Sequence, residues 1–161
     1  MSDIIFEGFF LIDPKTKEKT HIHGLLENIP FHQHITTRFR PDNPHKIAYG
    51  LMIMFPVDGY QNDGKNEAIH IDVYHAAVFS KTDSYIWLMD TDIITNALFT
   101  LQNPHITLSF AEGATPKDSG KLYFDGMQEW PEYIPKCVYA RYGGFDGEKV
   151  IFEKPHENLS T

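Results

Sequence analysis

The sequence predicts an α+β chain built as two lobes within one domain spanning residues 1–161. Three observations lead there. Short segments rich in Ile, Val, Phe and Tyr, bounded by Pro, Gly, Asn and Asp, outnumber helical patterns. Two of them carry the same order, His-Ile-Thr: Gln33-His34-Ile35-Thr36-Thr37-Arg38-Phe39-Arg40 and Asn103-Pro104-His105-Ile106-Thr107-Leu108-Ser109-Phe110, their histidines 71 positions apart (105 − 34). Each follows a strand or hairpin and then a short helical pattern, so the two halves share one order. No helix–strand solenoid period is present.

Ile4 to Ile12 reads as a strand, with Gly8 as a bulge or close approach. Asp13-Pro14 ends it and opens a helix, Asp as cap and Pro at the first position. Ile22, Leu25, Leu26 and Ile29 fall at i, i+3, i+4 and i+7, one helical face that Pro30 stops. The first His-Ile-Thr strand follows to about Arg40, and Pro41-Asp42-Asn43-Pro44 is a turn. His45 to Phe55 is apolar and ambiguous between helix and strand, and Asp58 to Gly64 reads as an exposed Gly-rich loop. Ala68 to Phe79 and Tyr85 to Met89 read as strands joined through Lys81-Thr82-Asp83-Ser84. Ile94, Leu98 and Leu101 give a short amphipathic helix capped by Thr91 or Asp92. In the second motif strand, Asn-Pro favours extended geometry at the start. Ile106, Leu108 and Phe110 then alternate with His105, Thr107 and Ser109, so one face is apolar and the other carries proton carriers and hydroxyls. Thr115 to Gly120 is a loop, and Tyr123 to Tyr133 is irregular. Val138 to Tyr142 and Lys149 to Phe152 form a terminal hairpin around Asp146-Gly147. His156 to Thr161 reads as a frayed tail.

The hydrophobic and charged fractions, 42% and 22%, are those of a globular domain, and aromatic residues reach 14%. The formal net charge of −8 argues against sequence-independent binding of long nucleic acid, which rests on a basic surface. It leaves room for a small anionic ligand in a locally basic cleft lined by Arg38, Arg40 and Lys46. With Cys137 as the one cysteine, no intrachain disulfide forms, which fits a reducing cytoplasm. The N-terminus has no basic n-region and no small-residue cleavage site, so no secretory signal is expected. No apolar run approaches the roughly 18 residues of a membrane span.

Two His-x-Thr strands suit phosphodiester cleavage. A base must activate the attacking oxygen and an acid must protonate the leaving one, and imidazole serves both near neutrality. Fixed hydroxyl donors stabilise the charge that builds on the phosphoryl oxygens. This scheme requires no metal or other cofactor.

The paired His-apolar-Thr motifs resemble those of the two-histidine (2H) phosphoesterase superfamily. The similarity extends to Phe6-Glu7-Gly8-Phe9-Phe10 before the first motif, and to Leu108-Ser109-Phe110-Ala111-Glu112-Gly113 and Pro116-Lys117-Asp118-Ser119 at and after the second. These flanks resemble the Swiss-army-knife RNA-repair-like branch, to which phage enzymes that degrade cyclic oligonucleotide immune signals are related. The resemblance implies antiparallel sheets facing across a cleft and cleavage of a 2′,3′-cyclic RNA end or a cyclic oligonucleotide. It implies His34 and His105 as the acid/base pair, and Thr36 and Thr107 as phosphate-binding groups. Thr37 departs from the pattern, whose fourth position is usually apolar, as at Leu108.

Two other classes stay open. A non-catalytic protein could grip a cyclic nucleotide or RNA end in the same cleft. A metal-dependent hydrolase could use His21, His23, His32 and His34, although no Cys, Asp or Glu cluster with recognised metal-ligand spacing accompanies them. His45, His70, His75 and His156 have no motif context. Tyr49, Trp130, Tyr133 and Tyr142 read as core or surface aromatics, with base stacking as the alternative.

Overall fold

The structure is a computed structural model that describes residues 3–44, 49–79, 85–87, 92–124 and 130–152. It is predominantly antiparallel sheet with few helices. The strands are β1 (Phe6–Leu11), β2 (His34–Phe39), β3 (Met52–Asn62), β4 (Asn66–Ile71), β5 (Ala77–Phe79), β6 (Tyr85–Trp87), β7 (His105–Phe110), β8 (Cys137–Phe145) and β9 (Val150–Ile151), with one α-helix, α1 (Asp92–Phe99). Short 3-10 turns cover Val73–His75 and Pro116–Lys121. Among the described residues no helix is long and apolar enough to cross a membrane.

The main path runs β2-β1-β8-β3-β4-β7, every pairing antiparallel. The strands that carry the two motifs therefore lie at its two ends. The path curls until β2 and β7 approach each other, giving a nearly closed, barrel-like sheet. The alternating apolar residues of these strands fill its interior: Phe9, Ile35, Ile53, Phe55, Ile69, Ile106 and Leu108 are all at most 1% exposed.

The pairing pattern repeats about the β8–β3 junction. β1 opposes β2 with Phe10, Phe9 and Gly8 facing His34, Ile35 and Thr36. β4 opposes β7 in the same way, with His70, Ile69 and Ala68 facing His105, Ile106 and Thr107. In both, the ladder then skips one residue on the motif strand, Thr37 or Leu108, and resumes with Glu7 facing Arg38 and Glu67 facing Ser109. These are β-bulges one position beyond the motif threonine. Gly8 is required at the first: a Cβ there would lie 2.2 Å from the Ile35 carbonyl oxygen.

The expected helix over residues 13–29 does not form. Asp13 caps a turn instead, its carboxylate accepting from the Lys15 and Thr16 amides. The next stretch uses its backbone donors on β4 and β7: the Leu25 amide donates to Glu67 and the Leu26 amide to the Ser109 hydroxyl. Asn28 exchanges two backbone hydrogen bonds with Phe110. A donor committed to another strand cannot serve an i−4 carbonyl, so the 3.6 periodicity of Ile22, Leu25, Leu26 and Ile29 is overridden. Leu25 and Ile29 are left 59% and 44% exposed. The loop expected over residues 58–64 is mostly strand, because Gly59 sits in a bulge of β3 and the turn falls at Asp63-Gly64. The expected strand Ala68–Phe79 is split at Val73–His75, where the Asp72 side chain caps a 3-10 turn. The terminal hairpin around Asp146-Gly147 forms, with Gly147 at φ +100°. His45, Lys46, Lys81 to Ser84, Thr91 and His156 lie outside the described residues.

Candidate active site

His34, Thr36, His105 and Thr107, drawn from opposite ends of the sheet path, line one cavity of about 900 Å³. The Gln33 side chain ties the two motif strands together. It is 2% exposed and donates to the Leu108 carbonyl, next to Thr107, while its own backbone leads into His34.

The two imidazoles are held alike. His34 Nδ1 lies 3.0 Å from the His32 carbonyl, and His105 Nδ1 lies 2.8 Å from the Asn103 carbonyl. A carbonyl only accepts, so each neutral ring carries its proton on Nδ1. Nε2 is left as the lone-pair atom in both. Burial lowers the pKa of His34, with the His32 carbonyl opposing, and a proton on His105 lowers it further. Burial likewise lowers the pKa of His105, against the Asn103 carbonyl. The rings differ in what they pack on. His34 stacks on Phe6 and Phe10, with centroids 4.5 and 5.4 Å away. His105 instead faces His70 across the ladder, whose Nδ1 is 2.6 Å from Asp58.

The threonines are not equivalent. Thr36 is exposed, and among the described residues its hydroxyl has no hydrogen-bond partner. Thr107 is 8% exposed; its hydroxyl lies 3.1 Å from the Pro116 carbonyl and 2.8 Å from the Ser119 hydroxyl, which in turn accepts from Asn66.

Arg38 and Arg40 do not line the cavity. Strict alternation would put Arg38 on the face of His34 and Thr36, but the bulge at Thr37 reverses the alternation. Arg38 turns to the buried Glu7 carboxylate, 3.5 Å away, and donates to the Asn43 carbonyl. Phe39 takes the cavity face in its place, and Arg40 lies over its ring. The one Lys or Arg on the described wall is Lys117, in the 3-10 turn after β7. The motif-flanking segment Pro116-Lys117-Asp118-Ser119 contains that signal, whereas Arg38 and Arg40 are nearer to His34 only in sequence.

Two buried carboxylates support the motifs, and the sequence reading missed both. Glu7 is 0% exposed and accepts from the Tyr49 and Tyr142 hydroxyls at 2.7 and 3.1 Å. Glu67, also 0% exposed, accepts from the hydroxyls of Tyr60, Tyr133 and Ser109 and from the Leu25 amide. Each glutamate faces the residue just past a motif bulge, and each is gripped by two tyrosines. A signal existed in Glu7-Gly8-Phe9-Phe10 and Glu67-Ala68-Ile69-His70, the same order of Glu, small residue, apolar residue and ring. Tyr49, Tyr133 and Tyr142 are thus committed to carboxylates, and Trp130 packs on the core.

His32 also lines the cavity, inside a ring of Phe10, Phe31 and Phe145. Burial pushes its pKa down to about 4, with Lys19 and the neighbouring histidines adding to the effect. His21 and His23 are exposed, on the loop rather than on a helix. Among the described residues, no three His, Cys, Asp or Glu side chains gather in a group fit to hold a metal ion. No family model, no curated protein and no solved structure matches this chain.

Proposed function

We propose that the chain is a metal-independent phosphodiesterase of the two-lobed 2H type, acting on a nucleotide phosphodiester such as a 2′,3′-cyclic phosphate or a cyclic oligonucleotide. The observation that carries the reading is the convergence of two like-oriented imidazoles and two threonines on one cavity. In this scheme the lobes are β2-β1-β8 and β3-β4-β7. One neutral imidazole takes the proton of an attacking oxygen, from water or a ribose 2′-hydroxyl, through Nε2. That oxygen bonds to phosphorus as the ester P–O bond breaks. The second imidazole, protonated, gives its Nε2 proton to the departing oxygen. The charge built on the phosphoryl oxygens is met by the free Thr36 hydroxyl and by Lys117.

The test is a screen of 2′,3′-cyclic nucleotides and cyclic di- and trinucleotides in excess EDTA, with product analysis. Turnover is expected to survive the chelator. Turnover abolished by EDTA and restored by Zn²⁺ or Mn²⁺ argues for the His-rich metal alternative. The committed hydroxyl of Thr107 favours a second reading, a protein that grips the same ligand without turning it over. Tight binding of a nucleotide that is never cleaved supports that one.

The inequality of the threonines gives a prediction of its own. Thr36→Val should slow turnover by about 2- to 10-fold, the scale of one hydrogen bond of 0.5–1.5 kcal/mol, and leave melting unchanged. Thr107→Val should lower the melting temperature, because the buried Ser119 hydroxyl and Pro116 carbonyl lose a partner. Equal losses of activity at equal stability would show that Thr107 releases Pro116 to reach the phosphate.

A further inference from the structure

The cavity is larger than the chemistry between His34 and His105 requires. At about 900 Å³ it lies near the upper end of small-molecule sites, and a phosphoryl group fills only a fraction of it. Its wall is uneven. Phe6, Ile29, Phe31, Phe39, Phe110 and Phe145 make it largely apolar, and Gln102, Asn103 and Lys117 supply polar groups. Phe31 and Phe39, both on this wall, are 75% and 67% exposed, two large apolar rings held in water. Phe39 is there only because the Thr37 bulge exchanges it with Arg38. A cation stands over each ring: Lys19 Nζ is 3.9 Å from the Phe31 centroid, and the Arg40 guanidinium is 5.3 Å from that of Phe39. A chain of net charge −8 has thus paired an exposed ring of this cavity wall with a positive charge twice.

We infer that Phe31 and Phe39 form a subsite for the nucleobase beside the reacting phosphate, with Lys19 and Arg40 drawing in the ligand's anionic groups. The inference rests on the phosphodiester reading above and assigns the residues that hold the substrate's base. Every nucleobase offers a flat π-face to a phenyl ring, so such a subsite gives affinity with little base preference. A neutral apolar ligand would suit the phenyl wall but not the two cations fixed above it.

The probe is 2-aminopurine riboside 3′-monophosphate, which has no cyclic bond to open and so reports on the subsite apart from turnover. Its fluorescence should be quenched on binding to the wild-type protein as the base stacks. Phe31→Ala and Phe39→Ala should each weaken binding by about 10-fold, while Phe39→Trp should retain it. Ribose 5-phosphate should compete at least about 10-fold less well than the nucleotide. Both rings are largely in solvent, so the alanine variants should melt within about 2 °C of wild type. No quenching in wild type, unchanged affinity in both alanine variants, or ribose 5-phosphate competing as well as the nucleotide overturns the subsite. The phosphodiesterase reading stands or falls separately. Ring-dependent quenching in a protein that cleaves nothing keeps the subsite and removes the enzyme. Cleavage indifferent to both rings keeps the enzyme and removes the subsite.

Discussion

Replacing either histidine, His34→Ala or His105→Ala, should lower turnover by about 10²–10⁴-fold, the usual worth of a general acid or base. The double variant should lose little more than the worse single one, because groups acting on one proton-transfer sequence fail together. Melting should separate this from a folding defect. His105 lines an open cavity and its removal should change stability little, whereas His34 also stacks on Phe6 and Phe10 and its loss should cost about 1 kcal/mol. The pH profile gives a further check. Burial lowers both imidazole pKa values from 6.5, a proton on His105 lowers that of His34 further, and a proton on His70 lowers that of His105. A bell-shaped kcat/KM should therefore peak on the acid side of 6.5, with limbs that belong to the pair. Raising the pH removes the acid, and lowering it protonates the base. A profile flat from about pH 5 to 9 would sink paired histidine catalysis. Alanine variants whose turnover falls only in proportion to the folded fraction, while melting drops sharply, would make these core histidines.

Strand content, the terminal hairpin and the cavity's two histidines and two threonines were legible because their signals are local. Alternation sets the face of Ile106, Leu108 and Phe110, and Asp146-Gly147 sets a turn without help from distant residues. What was not legible depended on partners far along the chain. The helical spacing of Ile22 to Ile29 was real, but Glu67 and Ser109 capture the backbone donors a helix would need. The arginines were misplaced for a related reason. Periodicity puts Arg38 with His34 and Thr36, and only the skipped residue in the β1–β2 ladder exchanges it for Phe39. A one-residue slip moves every later side chain to the other face. Gly8 marks a bulge or close approach, yet nothing in one strand says which partner residue is skipped. The buried glutamates were missed because a lone Glu in a strand reads as solvent-facing until the tyrosines that grip it are known. Tyr142 lies 135 positions from Glu7, and no local pattern joins them.

Removing the Glu67 carboxylate should be the most damaging single change outside the cavity. Its two oxygens accept from the Leu25 amide and from the hydroxyls of Ser109, Tyr60 and Tyr133. Glu67→Ala strips all four of their acceptor at a site that is 0% exposed. A buried donor left unpaired costs about 1–3 kcal/mol, so even with relaxation the loss should reach about 4 kcal/mol. For a chain of this size that lowers the melting temperature by about 10–15 °C. Tyr133→Phe removes a single donor and should cost about 1 kcal/mol. The same cluster sets a pH dependence. Burial raises the carboxyl pKa, but the bonds from Tyr133, Tyr60, Leu25 and Ser109 together outweigh it, so the folded value lies below the ordinary 4.5. A depressed carboxylate contributes stability that is complete above 4.5 and is lost as pH falls through the folded value. Denaturant melts of wild type should therefore weaken over that acid window. Glu67→Gln, which cannot titrate, should start less stable and lose less across it. The Glu67→Ala variant melting within about 2 °C of wild type, or identical acid dependence in wild type and Glu67→Gln, would mean that the carboxylate is not what holds β4, β7 and the crossing loop together.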